Sequence, residues 1–273
     1  MNISIITATY NAAATVSDCL RSVASQTQPA EHIIIDGAST DTTLETVRLI
    51  SPTARILSEP DKGIYQAMNK GIALATGDVI GILNADDFYA SPQVLEKVAR
   101  IFDDPVVMSC YGDLEYVKDC SRFEVQGSGY RALDSTLNLE QGTLNRFTVV
   151  RYWKSGPFSP DRFYWGWMPP HPTFFVRRSV YERFGLFNPD LGSAADYELM
   201  LRLLLKERIT AAYIPEVLVR MRVGGASNAS LRNRLKANRM DRRAWEVNGL
   251  KPYPWTIMMK PLRKVLQYVC RQK

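Results

Sequence analysis

The first hundred or so residues alternate between short apolar segments and amphipathic ones, and this alternation restricts the fold more than any other feature. The apolar segments have the length of strands, and the segments between them repeat apolar residues at helical spacing. Strands are predicted at residues 3–8, 32–36, 55–57 and 78–83, and helices at 16–24, 42–49, 63–75 and from 91 onward. Strands separated by helices need crossover connections, so we expect an α/β fold with a mostly parallel central sheet flanked by helices.

Polar segments follow three of these strands. They are residues 9–11, 36–39 and 84–87. An open α/β sheet binds ligands beyond the carboxyl ends of its strands. Each segment alone is also typical of an ordinary turn, because Asn, Asp, Ser and Gly are common in turns. Their position at one shared edge favours a binding site.

The segment Asn84-Ala85-Asp86-Asp87 follows the run 79–83, which is too apolar for an edge strand. A carboxylate at the tip of such a strand is a hard oxygen ligand that suits Mg²⁺ or Mn²⁺. The alternative is an acidic cap for a helix that begins after Tyr89.

Four segments occur in the order and spacing of the GT-A fold family 2 glycosyltransferases, which the chain resembles over roughly its first hundred residues. They are residues 7–11, 36–41, 63–72 and 84–87. The resemblance implies an inverting transferase with a nucleotide-sugar site, usually for a UDP-linked sugar, that depends on Mn²⁺ or Mg²⁺.

The resemblance also implies roles for individual residues. Thr7, Thr9 and Asn11 would line the nucleoside pocket, and Asp36 would accept hydrogen bonds from the base. Asp61 and Asn69 would lie beside the base or ribose, and Asp86 would bind the metal.

Two positions depart from the family pattern. Asn84 stands where the family usually has aspartate, so the turn keeps an oxygen ligand but loses a charge. Either the affinity for the metal falls or Asp87 assists Asp86. Met68 stands where many members carry arginine, and Lys62 would supply that cation.

Asp196 is the candidate catalytic base. It aligns with the aspartate of the family's acidic motif, in which Ala195 replaces the usual glutamate. It precedes apolar residues at helical spacing, so it lies near a helix start, where the helix dipole favours a carboxylate. The alternative is a plain capping residue, and Glu198 is the second candidate for the base.

His171 and Arg222 are further candidates for the substrate site. His171 lies among three prolines and is either a metal or phosphate ligand or a cap of its loop. Arg222, with Arg220 and Gly224, is interpreted as a flexible gate over the diphosphate. His32 opens a predicted buried strand and is interpreted as structural.

The middle of the chain combines predicted strands and a helix with a segment rich in aromatic residues. Strands are predicted at 110–118, 123–129 and 211–214, and a helix at 194–205. Seven aromatic residues lie between 151 and 172, interleaved with Gly and Pro. They form either a platform for a sugar or lipid acceptor or a packed loop over the sheet.

The basic charge is concentrated at the carboxyl end. From residue 220 onward there are 14 Lys/Arg and two Asp/Glu, a net charge of +12, against −6 for the rest. Two amphipathic helices with Lys/Arg between their apolar residues predict contact with an anionic membrane surface. Packing of the apolar stripes on the domain is the alternative. We expect no nucleic acid partner, because the acidic sheet edge would repel phosphate.

The four cysteines form no CxxC pair, and the first residues resemble no signal peptide, so we expect a cytoplasmic protein that the tail can bring to the inner face of the cell membrane. Three parts are expected. Residues 1–112 form the nucleotide-sugar-binding half, 113–222 the acceptor-binding half of the same GT-A domain, and 223–273 a basic amphipathic helical tail. The expected function is transfer of a hexosyl or acetylhexosaminyl group from a nucleotide sugar, UDP-linked by resemblance, to a glycan or lipid-linked acceptor in polysaccharide biosynthesis. The alternative is a non-catalytic glycan- or nucleotide-binding protein derived from this fold.

Overall fold

The computed structural model describes residues 1–119, 146–224 and 231–269. Its strands are β1 Ile3–Thr9, β2 Ala30–Asp36, β3 Arg55–Ser58, β4 Val79–Ile82, β5 Asp87–Tyr89, β6 Ser109–Asp119, β7 Phe147–Trp153, β8 Phe175–Arg177 and β9 Ala211–Arg222. Its α-helices are α1 Val16–Ala24, α2 Thr43–Ile50, α3 Ile64–Leu74, α4 Val94–Ile101, α5 Arg178–Phe184, α6 Ala195–Met200, α7 Leu231–Val247 and α8 Thr256–Val269. The strand predicted at 123–129 lies outside the described residues.

All the strands described belong to one sheet, in the order β3-β2-β1-β4-β8-β6-β9-β5, with β7 paired to β6. The first four strands are parallel, as the alternation of strands and helices predicts. Beyond β4 the sheet is mixed, because β8 runs antiparallel to both β4 and β6. The short strands β5 and β8 have three residues each, which is too short for a periodic pattern to reveal them.

Strand β1 shows why the parallel half is stable. All seven of its residues are buried. Ile6 packs in the cluster that contains α3 and α6, whereas Ile5 packs in the cluster that contains α1 and α4. A parallel sheet covered on both faces requires this near-continuous apolar strand.

The helix that carries Asp196 is joined to the carboxyl-terminal segment. Helix α6 continues as a π-helical turn, Leu201–Lys206. Trp245 of α7 is fully buried and donates its indole N–H to the Tyr197 hydroxyl over 3.0 Å. Asp241, Ala244 and Trp245 of α7 are buried, and so is Asn248 directly after the helix. Helix α7 is thus packed into the fold.

Helix α8 packs against the turn Pro160–Trp165 and the strand β7. Thr256 is buried and donates its hydroxyl to the Tyr164 carbonyl over 2.7 Å, and Ile257 is also buried. Among the described residues, none of the helices combines the length and apolarity that crossing a membrane requires.

The glycine at position 166 allows α8 to pack closely against the turn Pro160–Trp165. Its φ is +72°, and a Cβ added there would overlap the backbone of Met259 and Lys260. Gly249 has a similar φ of +69°, but a Cβ there would meet nothing within 4 Å. The two glycines therefore share backbone conformation and differ in the space around them.

We expect Gly166→Ala to lower the free energy of unfolding more than Gly249→Ala. The left-handed backbone costs alanine about 1–2 kcal/mol at either position, and the overlap at Gly166 adds roughly 1–3 kcal/mol, because backbone atoms cannot move aside easily. Urea unfolding of both variants measures the difference. Equal losses would show that α8 does not pack at Gly166 in solution.

Candidate active site

The acidic turn Asn84–Asp87 is held at both ends. Strand β4 before it lies between β1 and β8 and is wholly buried. Strand β5 after it pairs with β9, so that Asp87 lies opposite Met221. The next helix, α4, begins only at Val94, so the turn does not cap a helix.

Several buried polar atoms at this edge have no hydrogen-bond partner within the described part of the chain. They are Thr9 Oγ1, Asn84 Oδ1 and Asp87 Oδ1. Asp61 Oδ2 has none either, although Asp61 Oδ1 lies 2.6 Å from Lys70 Nζ. Buried polar atoms are normally paired. Unpaired atoms collected after β1, β3 and β4 indicate a surface that is completed by a ligand.

The charge of Asp87 is unfavourable in the protein alone. Burial raises the pKa of its carboxyl well above the ordinary value, and the neighbouring Asp86 raises it further. A hydrogen bond of 3.0 Å from Asn84 Nδ2 and the charge of Arg222 oppose the shift. A cation bound at the turn would favour the ionised form.

The donor set of the turn suits a divalent ion that is shared with a phosphate. No group of three or more His, Cys, Asp or Glu side chains is placed to hold a metal in the described ranges. Mg²⁺ is commonly held by one or two carboxylates and by substrate phosphates. Asp86 is half-buried beside Asp87, and the unpaired Asn84 oxygen adds a third donor. The residues therefore fit such an ion.

Arg222 lies at the acidic turn. Its guanidinium donates to the Asp86 carbonyl over 3.1 Å and to the Asp18 carboxylate, and it covers the rings of Phe88 and Phe147. Arg222 and Arg220 lie within β9 and not after it, and Arg220 pairs with Glu115. The interpretation of these arginines as a flexible gate was wrong, because strand pairing and ion pairs hold them.

Asp36 and Asn11 build the loops beside the turn. Asp36 is buried, and its Oδ2 accepts from the Ser39 amide over 2.9 Å and from the Ser58 hydroxyl over 2.7 Å. Asn11, with a φ of +47°, accepts from the Thr40 amide over 2.9 Å. These bonds join the loops that follow β1, β2 and β3.

Other predicted ligands have partners inside the protein. The Thr7 hydroxyl of β1 lies 3.0 Å from His32 Nε2 of β2, which agrees with a structural His32. Burial lowers the pKa of His32 to about 4. The Asn69 side chain exchanges two hydrogen bonds with the Phe187 backbone, of 2.9 and 3.0 Å. Met68 is buried in the core, whereas Lys62 is exposed.

Asp196 lies in a second cluster of side chains. It is the second residue of α6, and its Oδ1 accepts from the Tyr197 amide over 2.7 Å. Burial and the Asp196 charge both raise the pKa of Tyr65. Burial lowers the pKa of His171, whereas the Asp196 charge opposes this shift. The Phe187 ring lies 5.4 Å from that of Tyr65 and 5.5 Å from that of His171. Asp196 therefore faces both a phenol and an imidazole.

The strand order brings the acidic turn and the side chains around Asp196 to the same edge of the sheet. Because β8 runs antiparallel to β4, the turn His171–Thr173 before β8 lies where β4 ends, and this turn contacts β4. Helix α3, which carries Tyr65, also starts beyond the carboxyl end of β3.

Glu198, the second candidate base, is only 3% exposed. Arg202 Nε donates to its Oε1 over 2.9 Å, and Asn248 donates to its carbonyl over 3.3 Å. It therefore joins α6 to α7 and does not face the sheet edge with Asp196.

Two clefts are also present in the described structure. One, of about 450 Å³, includes Arg202 and Asn248, and the other, of about 460 Å³, includes Tyr152 and Arg220. Neither reaches Asp86 or Asp196. The unpaired oxygens of Thr9, Asp61, Asn84 and Asp87 lie at the sheet edge instead. A polar ligand needs such groups, so we place the site there.

The aromatic residues between 151 and 172 are mostly packed. Tyr152, Phe163 and Trp167 are buried, whereas Trp165 is 50% exposed. Of the two interpretations, the packed loop describes most of this segment.

Sequence reasoning missed several residues near the site. Tyr65 lies inside the segment 63–72, one of the four that carry the family resemblance. Asp18 and Phe187 reach the site only through contacts between distant parts of the chain, which leave no local signal.

The chain is similar to known proteins along most of its length. The model of the family described as glycosyl transferase family 2 matches residues 4–184. The PGL/p-HBAD biosynthesis glycosyltransferase of Mycobacterium bovis is 28% identical over 232 residues, which cover 82% of this chain and 78% of that protein.

Solved structures share the fold at low identity. S. aureus TarS has a TM-score of 0.59 at 16% identity, over 90% of this chain but only 44% of TarS. Its 1–349 form in complex with UDP-GlcNAc has a TM-score of 0.57 at 17% identity, over 88% of this chain and 65% of that one. The mannosyltransferase PcManGT of Pyrobaculum calidifontis, in complex with GDP-Man and Mn²⁺, has a TM-score of 0.59 at 16% identity, over 100% of this chain and 76% of that one.

We expect Asp87→Asn to stabilise the metal-free protein at pH 8. A raised pKa means that the folded state binds the proton more tightly than the unfolded state. Wild-type stability therefore falls as the pH rises from about 4 through the folded pKa. Asp87→Asn has no carboxyl to ionise, so it should be roughly 1 kcal/mol more stable than the wild type. This corresponds to a melting temperature about 2–4 °C higher.

Melting curves between pH 4 and pH 8 test this expectation. The difference should shrink toward pH 4, where the folded carboxyl is protonated and the unfolded carboxyl is about half-protonated. Asp103→Asn, at an exposed position, is the control and should change little. A variant less stable than the wild type at pH 8 would contradict the unfavourable charge assigned to Asp87.

Proposed function

Since the chain belongs to glycosyl transferase family 2 and has the GT-A fold, we propose that it is a metal-dependent, inverting enzyme that uses a UDP-linked sugar. The sugar is a hexosyl or acetylhexosaminyl group, and the acceptor is a hydroxyl of a glycan or of a lipid-linked glycan in polysaccharide biosynthesis. The observation that carries the proposal is the set of unpaired, buried polar atoms at the sheet edge beside the acidic turn.

The donor is held along the carboxyl ends of the parallel strands. Thr9 and Asp61 have unpaired oxygens to offer to the nucleoside, while Asp36 and Asn11 keep the surrounding loops in place. Asp86, with Asn84 and Asp87, would hold Mn²⁺ or Mg²⁺, and the charge of the ion would stabilise the departing diphosphate. Arg222 is the cation at this end of the site, and Lys62, in the loop after β3, is the second cation of the proposal.

Asp196 is the base in this proposal. As the acceptor oxygen forms its bond to the anomeric carbon, the bond from that carbon to the diphosphate oxygen breaks, and the hydroxyl proton passes to the Asp196 carboxylate. Attack on the face opposite the leaving diphosphate inverts the anomeric configuration. His171 and Tyr65 border this carboxylate and orient the acceptor.

The nucleotide is proposed from the family resemblance and from the complex of TarS with UDP-GlcNAc. PcManGT, which was solved with GDP-Man and Mn²⁺, makes a GDP-sugar the first competitor. Melting temperatures with UDP-, GDP- and dTDP-sugars, each with and without Mn²⁺, rank the donors. A donor at a hundredfold excess over its Kd should raise the melting temperature by about 5–10 °C.

We expect Asp86→Ala to abolish the part of the donor-induced stabilisation that depends on Mn²⁺. It should also lower kcat/KM by roughly 10²–10³-fold, because the charge on the leaving diphosphate is no longer neutralised. Asp103→Ala controls for the loss of an acidic residue elsewhere. Full Mn²⁺-dependent turnover by Asp86→Ala would refute its role as a metal ligand.

We expect Asp196→Asn to lower kcat by roughly 10²–10⁴-fold, the usual contribution of a general base, with unchanged stabilisation by the donor. Glu198→Gln is the matched variant two residues away. It should lower the melting temperature, because it weakens the buried pair with Arg202, and leave kcat within a few-fold.

Product analysis distinguishes the remaining possibilities. NMR of the new glycosidic bond reports inversion, and retention would contradict a single displacement. Donor binding without turnover for any glycan or lipid-linked acceptor would favour the non-catalytic nucleotide-binding protein instead.

A further inference from the structure

A contiguous apolar surface lies on the outside of α8 and the segments beside it. We call it the aromatic face, and it consists of Trp165, Tyr253, Trp255, Met258 and Leu262. Their exposed fractions are 50, 47, 44, 72 and 55%. The Trp255 ring lies 6.0 Å from that of Trp165 and 5.1 Å from that of Tyr253. Large apolar side chains grouped in this way mark interaction surfaces.

The aromatic face is built on rigid supports. The Tyr164 ring lies 4.9 Å from that of Tyr253 and 5.0 Å from that of the buried Trp245. Gly166 leaves room for the backbone of α8 at Met259 and Lys260. Lys260 points inward, with its Nζ 2.8 Å from Asp241 and 3.7 Å from the Tyr197 ring centroid. The face therefore cannot bury itself by a small rotation of α8.

The carboxyl-terminal segment that carries most of the aromatic face has charge of one sign only. Residues 249–273 contain six Lys/Arg and no Asp/Glu. Lys251 is exposed beside Tyr253, and Arg263 follows Leu262. Trp and Tyr favour the boundary between water and lipid, and each Lys or Arg near an anionic leaflet contributes attraction.

We propose that the aromatic face binds the surface of an anionic lipid bilayer, with α8 lying in the plane of the headgroups. Charge argues for lipid over a second copy of this chain. A two-fold contact through the face would bring together two copies of the basic segment 249–273, which contains no acidic residue. An anionic leaflet offers the complementary charge and an apolar layer for Met258 and Leu262.

The contact would also orient the catalytic site, and this part rests on the proposed function. Trp245 links the supports of the aromatic face to Tyr197, the neighbour of Asp196. The acceptor side of the sheet edge is thus joined to the part of the molecule that lies on the bilayer. A lipid-linked acceptor would reach Asp196 from that surface.

Vesicle co-sedimentation of the full chain tests the surface contact. The probes are phosphatidylcholine vesicles with and without phosphatidylglycerol. The variant is Met258→Ser with Leu262→Ser, and the matched control is Leu49→Ser with Val106→Ser, which removes two side chains that are 83 and 64% exposed elsewhere. Both variants should keep the wild-type melting temperature and donor-induced stabilisation, which separates this proposal from that of the function.

The wild type and the control should bind the phosphatidylglycerol vesicles, and more weakly at high salt. The α8 variant should bind them about tenfold or more weakly, because two apolar side chains no longer enter the lipid. Equal binding by both variants would overturn the proposal. So would a wild type that ignores the anionic vesicles at low salt, or a dimer in sedimentation velocity that only the α8 variant dissociates.

Discussion

The pairing of one three-residue strand holds the two sides of the site together. Strand β8 pairs with β4 through Arg177 and Val176 and with β6 through Val176 and Phe175, so it closes the gap between the parallel half and the rest of the sheet. Gly81 makes room for the Phe175 ring, since a Cβ there would lie 2.5 Å from a ring carbon. The distance between the acidic turn and His171 is set by this pairing.

Hydrogen bonds from Arg177 and Arg178 also fix the backbone around β8. The Arg177 guanidinium donates to the carbonyls of Val107 and Phe102 over 2.7 and 2.9 Å, and the Arg178 amide donates to the Asp78 carbonyl over 2.9 Å. Each of these bonds pairs a carbonyl that the end of a helix or strand would otherwise leave unsatisfied. The short strand is thus stabilised by side chains as well as by its ladder.

Local pattern was enough to predict the parallel half, because each of its strands and helices carries its own apolar periodicity. It was also enough to find the acidic turn, which follows a strand buried on both faces. It could not assign a hydrogen-bond partner to each side chain. Thr7 and Thr9 both belong to β1, yet one bonds to His32 and the other is unpaired at the edge. Asn69 bonds to a backbone 118 residues away, which periodicity cannot reveal.

The ion pair between Arg222 and Asp18 also bears on how the chain acquires its structure. The two residues are 204 positions apart, so their contact closes one of the longest loops in the molecule. Loop closure costs conformational entropy that only later contacts repay, and domains form as the ribosome releases them. During synthesis the parallel half can therefore assemble early, with its acidic turn still lacking the arginine. The turn reaches its final geometry only after β9 has emerged, and α6 gains Trp245 later still, which delays a working site until most of the chain is made.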